Sequence, residues 1–341
     1  MANKKNKGQF YTVNSKYILD GLSIPTGHVV EPFAGKGDLV DWVQQFSPTS
    51  IELYDIDPKR HDIVQRDTLN HPPEYTDKWI ITNPPYLARN KCHEKDVFDL
   101  YDTNDLYKCF ITSLTRQEPC AGGILIIPAG FFLSPRDIDV RCRHEFLSRY
   151  RLIRVNYFEE TVFPDTTTTV VAFSFVKSHL LTEQLVEWVS FPSKEKRVFT
   201  MSQTNDWIIG GDIYKLPKTN AIKVRRHVEG QTLKQGEQLT SMTLSALDSG
   251  TQEGRIKIEY KKGYVYPAKD CSRTYATLCI SGRILSEQEQ QRLCVDFNNL
   301  IEKKRHETWS LFLPQFRESK EYARKRIPFE LAYLIVNHLL S

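Results

Sequence analysis

The sequence predicts an α/β fold, a mostly parallel sheet with helices on both faces, followed by a second domain of mixed α+β character. Three observations carry this. Short apolar runs alternate with helix-spaced stretches from residue 28 to residue 176. After residue 178 the alternation gives way to short strand-like pieces, polar turns and two helical stretches. Charge changes with the pattern: residues 201–341 hold 22 Lys and Arg against 16 Asp and Glu, whereas the first 200 hold 24 against 26.

In order, "HVVEPF" (28–33), "IELYDID" (51–57), "KWIITNPP" (78–85), "GGILIIPAGFF" (122–132), "RLIRVNYF" (151–158) and "TTVVAFSFV" (168–176) read as strands, with a weak strand before Asp67. "SKYILDGL" (15–22), "DLVDWVQQF" (38–46) and "DTNDLYKCFITSLTRQ" (102–117) read as helices. Later, "EGRIKIEYKKGYVYP" (253–267) is strand-like, and 286–304 and 329–340 are helical. The division falls within 178–205 and is set at 190/191, giving domains 1–190 and 191–341.

Composition narrows the class. The chain is 40% hydrophobic and 26% charged, with a net charge of +4, as in soluble globular proteins. No run of about 18 apolar residues is present, and "MANKKNKGQF" has no apolar core of a signal peptide. Neither a membrane span nor export is expected. Seven cysteines without a CxxC pair point to a reducing compartment and to no metal site. A basic second domain beside a near-neutral first one suits a catalytic unit joined to a polyanion-binding unit.

Open parallel sheets bind ligands beyond the carboxyl ends of their strands, and the candidate motifs fall there. "EPFAGKGDLV" (31–40) puts Gly35 and Gly37 between a strand and a helix, where glycine lets backbone approach a ligand. The loop matches neither the Walker pattern nor GxGxxG. Acids surround it: Glu31 and Asp38 flank the loop, Asp55 ends the second strand and Asp67 follows the third. Carboxylates would repel phosphate. They suit a cation that carries a ribose and an amino group, and S-adenosylmethionine is such a ligand.

"NPPY" (83–86) ends the fourth strand. Proline has no N–H and a fixed φ, so Pro84 and Pro85 make a rigid turn between the Asn83 amide and the Tyr86 phenol. With "GQFYT" (8–12), "EPFAGKGD" (31–38), Asp55, Asp67 and "VFPDTTTTVVAFSF" (162–175) in this order, residues 8–177 resemble the gamma-class, TaqI-like N6-adenine DNA methyltransferases of type II restriction–modification systems. The resemblance implies a class I S-adenosylmethionine-dependent methyltransferase fold, Rossmann-like with a seven-stranded mixed sheet, and a C-terminal target-recognition domain. It implies that the Asn83 oxygen and the Pro84 carbonyl accept hydrogen bonds from the exocyclic amine of an adenine flipped out of duplex DNA, with Tyr86 and Phe163 against its faces.

It further implies that Gln9, Tyr11, Thr12, Glu31, Pro32, Ala34, Gly35, Gly37, Asp38, Asp55, Ile56, Asp67, Thr68 and Pro85 line the cofactor. An enzyme of this kind works as a monomer in the cytoplasm of a bacterium, or is virus-encoded, beside a separate cognate endonuclease. The rivals are an RNA N6-adenine methyltransferase, a glutamine methyltransferase of release factors and an inert DNA- or cofactor-binding module. In the second domain, Arg225, Arg226, Lys261, Lys262, Lys303, Lys304 and Arg305 are the candidate phosphate contacts.

Overall fold

The computed structural model describes residues 8, 10–164, 166, 168–249, 255–316 and 324–341. The chain forms two compact units, one reaching to Trp207 and the other starting at Ile208.

The first unit is built on a large sheet. Its described strands are β1 (His28–Glu31), β2 (Ser50–Asp55), β3 (Val64–Gln65), β4 (Trp79–Thr82), β5 (Gly122–Pro128), β6 (Tyr150–Phe158), β7 (Val170–Lys177), β8 (Glu183–Phe191) and β9 (Glu195–Ser202). They lie in the order β3-β2-β1-β4-β5-β7-β6-β8-β9. The first five in that order run parallel. β7 enters antiparallel between β5 and β6, β8 is parallel to β6, and β9 is antiparallel to β8. The apolar run of β5 is buried nearly end to end, as a strand covered on both faces must be. Because β1 has β2 on one side and β4 on the other, the strand order reverses there, which is where such sheets hold ligands.

The sheet is wider than the seven strands expected. Residues 183–202, placed within the region of the domain division, form the pair β8–β9 instead. Val186, Trp188, Phe199 and Met201 are buried along it, the alternation of a strand with one face in the core. A division at 190/191 would cut β8, so the first unit continues to Trp207.

The helices of this unit are α1 (Ser15–Ile18), α2 (Asp38–Gln44), α3 (Asp96–Tyr101), α4 (Leu106–Arg116), α5 (Gly130–Leu133) and α6 (Asp137–Leu147). α6, "DIDVRCRHEFL", carries charge inward, which hid it from the periodicity reading. Its Asp139 is buried and takes an ion pair from buried Lys108, the Arg136 guanidinium at 2.8 Å and the Ser134 hydroxyl at 2.6 Å. Arg143, fully buried, donates to the carbonyls of Asp206 (2.7 Å), Phe131 and Ser134. Buried charge is tolerated when paired and hydrogen-bonded in this way.

The second unit has an antiparallel sheet, β10 (Lys223–Arg226), β11 (Glu237–Ser245), β12 (Lys257–Tyr260) and β13 (Tyr275–Ser281), in the order β10-β13-β11-β12. α7 (Glu287–Thr308) and α8 (Phe329–Leu340) pack against it. Met242, Leu244, Ile258, Leu278, Phe297 and Ile335 share this core. α7 opens on a capping box formed by Ser286 and Glu289. Among the described residues no helix is long and apolar enough to cross a membrane.

One close approach is testable. A Cβ on Gly123 in β5 would sit 2.1 Å from the Ile80 carbonyl oxygen of β4, whereas one on Gly130 would meet nothing within 4 Å. Gly123→Ala is expected to cost about 1–3 kcal/mol or more by overpacking, and Gly130→Ala to leave the denaturation midpoint unchanged or slightly raised. Urea titration of both variants checks this.

Candidate functional site

The stretches that carry the candidate residues of the first unit meet at the carboxyl ends of β1, β2 and β4. At the end of β1, Glu31 is buried. Its Oε1 accepts the Thr82 hydroxyl at 2.6 Å and the Phe33 N–H at 3.3 Å. Its Oε2 has no hydrogen-bond partner among the described residues. Burial pushes this carboxyl up to about 8, against the two hydrogen bonds and with help from the charge of Asp55. An acid held in this way either keeps its proton or waits for a positive partner.

The glycine loop follows. Gly37 precedes α2 with φ of 83°, a left-handed conformation open to glycine. Gly35 donates its N–H to Asp55 Oδ2 at 2.8 Å, and Asp57 donates its N–H to Asp55 Oδ1 at 2.8 Å. Asp55, the candidate ribose acceptor, thus spends both oxygens on backbone and is 3% exposed, while Asp57, passed over in the sequence, is more exposed beside it and pairs with Lys59 at 2.8 Å. Asp38 lies in the first turn of α2. Tyr11 lies against the loop: a Cβ on Gly35 would come 3.0 Å from its ring, and Lys36 Nζ stands 5.0 Å from its centroid. Burial raises the Tyr11 phenol, Lys59 opposes this, and Asp55, Asp57 and Asp38 add to it.

The remaining cofactor candidates are mostly structural here. Ala34 packs with Val40, Leu53 and Ile63. Thr68 holds the Pro32 carbonyl at 2.9 Å. Asp67 caps its own turn through the N–H groups of Leu69 and Asn70. Ile56 is 50% exposed. Gln9 lies outside the described residues.

Asn83 follows β4. Its Nδ2 donates to the Phe10 carbonyl at 2.8 Å and the Thr12 hydroxyl at 3.1 Å, and its Oδ1 accepts the Tyr86 hydroxyl. The same hydroxyl lies 2.6 Å from the Ile126 carbonyl. Neither Pro84 nor Pro85 has an N–H to give. Tyr86 does, and it donates to Gly8 O at 2.9 Å. Gly8 has φ of 67°, and a Cβ there would lie 2.7 Å from the Tyr86 oxygen.

Burial raises the Tyr86 phenol well above its ordinary range, with the nearby Asp105 charge adding to it. Phe10, also passed over in the sequence, stacks on Tyr86 at 5.3 Å and 30° and lies 6.3 Å from Phe163. Tyr86 and Phe163, the two aromatics expected to hold a base, both lie next to this ring. Pro84 is buried at the turn.

The cations proposed for the second unit lie on β10, just after β12 and on α7. Most have internal partners. Arg225 pairs with Glu237 at 2.5 Å, Lys261 with Glu259 at 3.2 Å, Lys262 with Glu287 at 3.0 Å, Lys304 with Asp212 at 2.6 Å and Arg305 with Asp248 at 2.8 Å. Arg226 donates to the carbonyls of Ser272 and Asp270 and lies 5.2 Å from the Phe329 ring. Lys303 is exposed.

No protein-family model matches the chain, and no curated protein matches it. Among solved structures it is similar to a modification subunit assigned to a type I restriction enzyme from Vibrio vulnificus YJ016, with 18% identity over 56% of this chain and 49% of that one and a TM-score of 0.41. It is also similar to a chain of a type I R-M system complex (17%, 54% and 45%, TM-score 0.43). A third is the methyltransferase subunit of the type I restriction-modification system of Streptococcus thermophilus (14%, 54% and 48%, TM-score 0.39). The chain spans about half the length of these three structures. Likeness at this level carries no functional weight.

Glu31 gives a prediction from its own titration. The folded acid holds a proton that the unfolded chain releases above 4.5. Its contribution to stability is therefore complete below that value and declines as pH rises toward about 8, by up to about 1.4 kcal/mol per pH unit. Urea titrations across this window are expected to show Glu31→Gln with a shallower pH dependence than the parent and a stability advantage at the alkaline end. Equal slopes would mean that the parent acid is ionised and partnered.

Proposed function

We propose that the chain transfers a methyl group from S-adenosylmethionine to the N6 amine of an adenine flipped out of duplex DNA, as a modification enzyme acting beside a separate endonuclease in a bacterial cytoplasm. The observation that carries this reading is the Asn83 amide. It is fixed through its Nδ2 by Phe10 and Thr12, with its oxygen in exchangeable contact with a tyrosine hydroxyl.

The reading follows from the chemistry of the acceptor. Adenine N6 is a weak nucleophile because its lone pair is delocalised into the ring. Two fixed acceptors, Asn83 Oδ1 and the Pro84 carbonyl, draw on the amine protons and favour a tetrahedral nitrogen. Because the turn is rigid they need no reorganisation during the reaction, and holding the reactants together does much of the rest. Freeing Asn83 Oδ1 strands no proton. Tyr86 has one hydroxyl hydrogen and two acceptors in reach, so it can give it to Ile126 instead. The adenine ring then replaces Phe10 between Tyr86 and Phe163.

The residues at β1 and β2 fit the donor. Glu31 Oε2 lacks a partner among the described residues and suits the α-ammonium group, and the Tyr11, Asp38 and Asp57 surroundings suit a cation. S-adenosylmethionine, when bound, supplies an electrophilic methyl group on its sulfonium.

Incubation with labelled S-adenosylmethionine and unmethylated duplex DNA, followed by nucleoside analysis, tests this. N6-methyladenine is the expected product, and label confined to RNA or protein would overturn the assignment. Asn83→Ala is expected to lower kcat by about 10²–10³ without changing cofactor affinity. Phe10→Ala removes an aromatic contact worth about 0.5–1.5 kcal/mol. It should raise kcat/KM for DNA by roughly 2- to 10-fold, read in the same assay; a decrease would show that Phe10 supports the site rather than filling it.

A further inference from the structure

The face of the second unit's sheet turned away from its apolar core is polar. Cross-strand register puts two rows on it: Glu259, Thr243 and Thr277 in one, Lys257, Ser245 and Tyr275 in the other. The chain from 261 to 275 crosses this face and adds Tyr264 and Tyr266, leaving a cavity of about 370 Å³. That is within the size range of small-ligand sites. Tyr266 and Tyr275 have ring centroids 5.7 Å apart, and Tyr264 and Tyr275 are 44% and 42% exposed.

The row of hydroxyls is used unequally. Thr277 Oγ1 accepts the Tyr266 N–H at 2.8 Å and fixes the crossing segment. Thr243, next to it, is 3% exposed and lines the cavity, and its Oγ1 has no hydrogen-bond partner among the described residues. Buried hydroxyls are nearly always partnered, so this one is left open to a ligand with a polar edge. At the rim, Lys257 and Lys261 share Glu259 at 3.0 and 3.2 Å, which leaves the group one positive charge in excess. The two ammonium groups hold Glu259 below the usual carboxylate range against its burial.

We infer that this cavity is a nucleotide-binding site for a DNA strand. An aromatic base rests on the exposed tyrosines, its polar edge meets Thr243, and its phosphate meets Lys257 and Lys261. Stacking platforms beside cations are how proteins hold an unpaired base. Glu259 adds an acceptor for an exocyclic amine, the pairing that acidic side chains make with base edges. The inference rests on the reading that the chain acts on DNA and goes beyond it by naming where the second unit holds its strand. Of the cations singled out from the sequence, only Lys261 belongs to this site.

The test uses the full chain, fluorescein-labelled unmethylated DNA both as a duplex and as a single strand, anisotropy at several salt concentrations and the methyl-transfer assay in parallel. Thr243→Val keeps the shape of the strand and is expected to weaken DNA binding several-fold with no loss of thermal stability. Tyr264→Ala, at an exposed position, should weaken it by on the order of 10-fold. Lys257→Ala should reduce the slope of log affinity against log salt by about one. For all three, the weaker binding is expected to appear in the methyl-transfer assay as a raised KM for DNA. Parent-like binding by the three variants, with a parent chain that binds and methylates DNA, overturns the site and leaves the proposed function standing. A parent chain that neither binds nor methylates DNA overturns both. Equal binding of single-stranded RNA in competition overturns the assignment to DNA.

Discussion

Two consecutive prolines govern the first unit's candidate site. After β4 the chain offers no backbone donor at Pro84 or Pro85, and the first that follows, Tyr86 N–H, goes to Gly8. That bond brings the N-terminal stretch over the end of the sheet. Phe10 O and Thr12 then orient the Asn83 amide, and Gly8 has to be a glycine because any side chain would strike Tyr86. Rigidity here has a physical consequence: acceptors that do not reorganise stabilise a developing charge better than mobile ones.

The same closure fills the site it builds. Phe10 contacts both aromatics that the resemblance would put against a base, and the Asn83 amide is hydrogen-bonded within the protein itself. A self-satisfied site of this kind avoids buried unpaired polar groups. It remains convertible because one hydroxyl faces two acceptors. Glu31 is the counter-example nearby, a buried acid with one oxygen left over among the described residues. The acids at the ends of β1 and β2 would disfavour phosphate once ionised, and a cation beside Glu31 would draw off the proton that burial keeps on it.

Much of the fold was legible in the sequence because the strands of the parallel core are apolar runs: "HVV", "WII" and "ILII" lie in β1, β4 and β5. β8 and β9 were not, since about half their residues are not buried and they lie within 178–205, where the domain division was expected. α6 escaped because it buries Asp139 and Arg143, whose partners Lys108, Phe131 and Ser134 are remote or irregular in sequence. At the site, positions at strand ends predicted the meeting of 31–38, 55 and 83–86, and the resemblance added 8–12. They could not show that Asp55 would be consumed by Gly35 and Asp57, or that Phe10 would contact both Tyr86 and Phe163. Counting basic residues overstated the second unit in the same way, because Glu237, Glu287, Asp212 and Asp248 neutralise cations that sequence alone leaves unpaired.

The central claim is that the Asn83 corner exchanges its own Phe10 for an extruded adenine. A crystal structure of the chain with a non-reactive analogue of S-adenosylmethionine and a duplex containing its methylation site tests this most directly. The account predicts an adenine ring between Tyr86 and Phe163, its amine on Asn83 Oδ1 and the Pro84 carbonyl, with Phe10 displaced and the Tyr86 hydroxyl on Ile126. A bound duplex with every adenine stacked and Phe10 still against Tyr86 would contradict it.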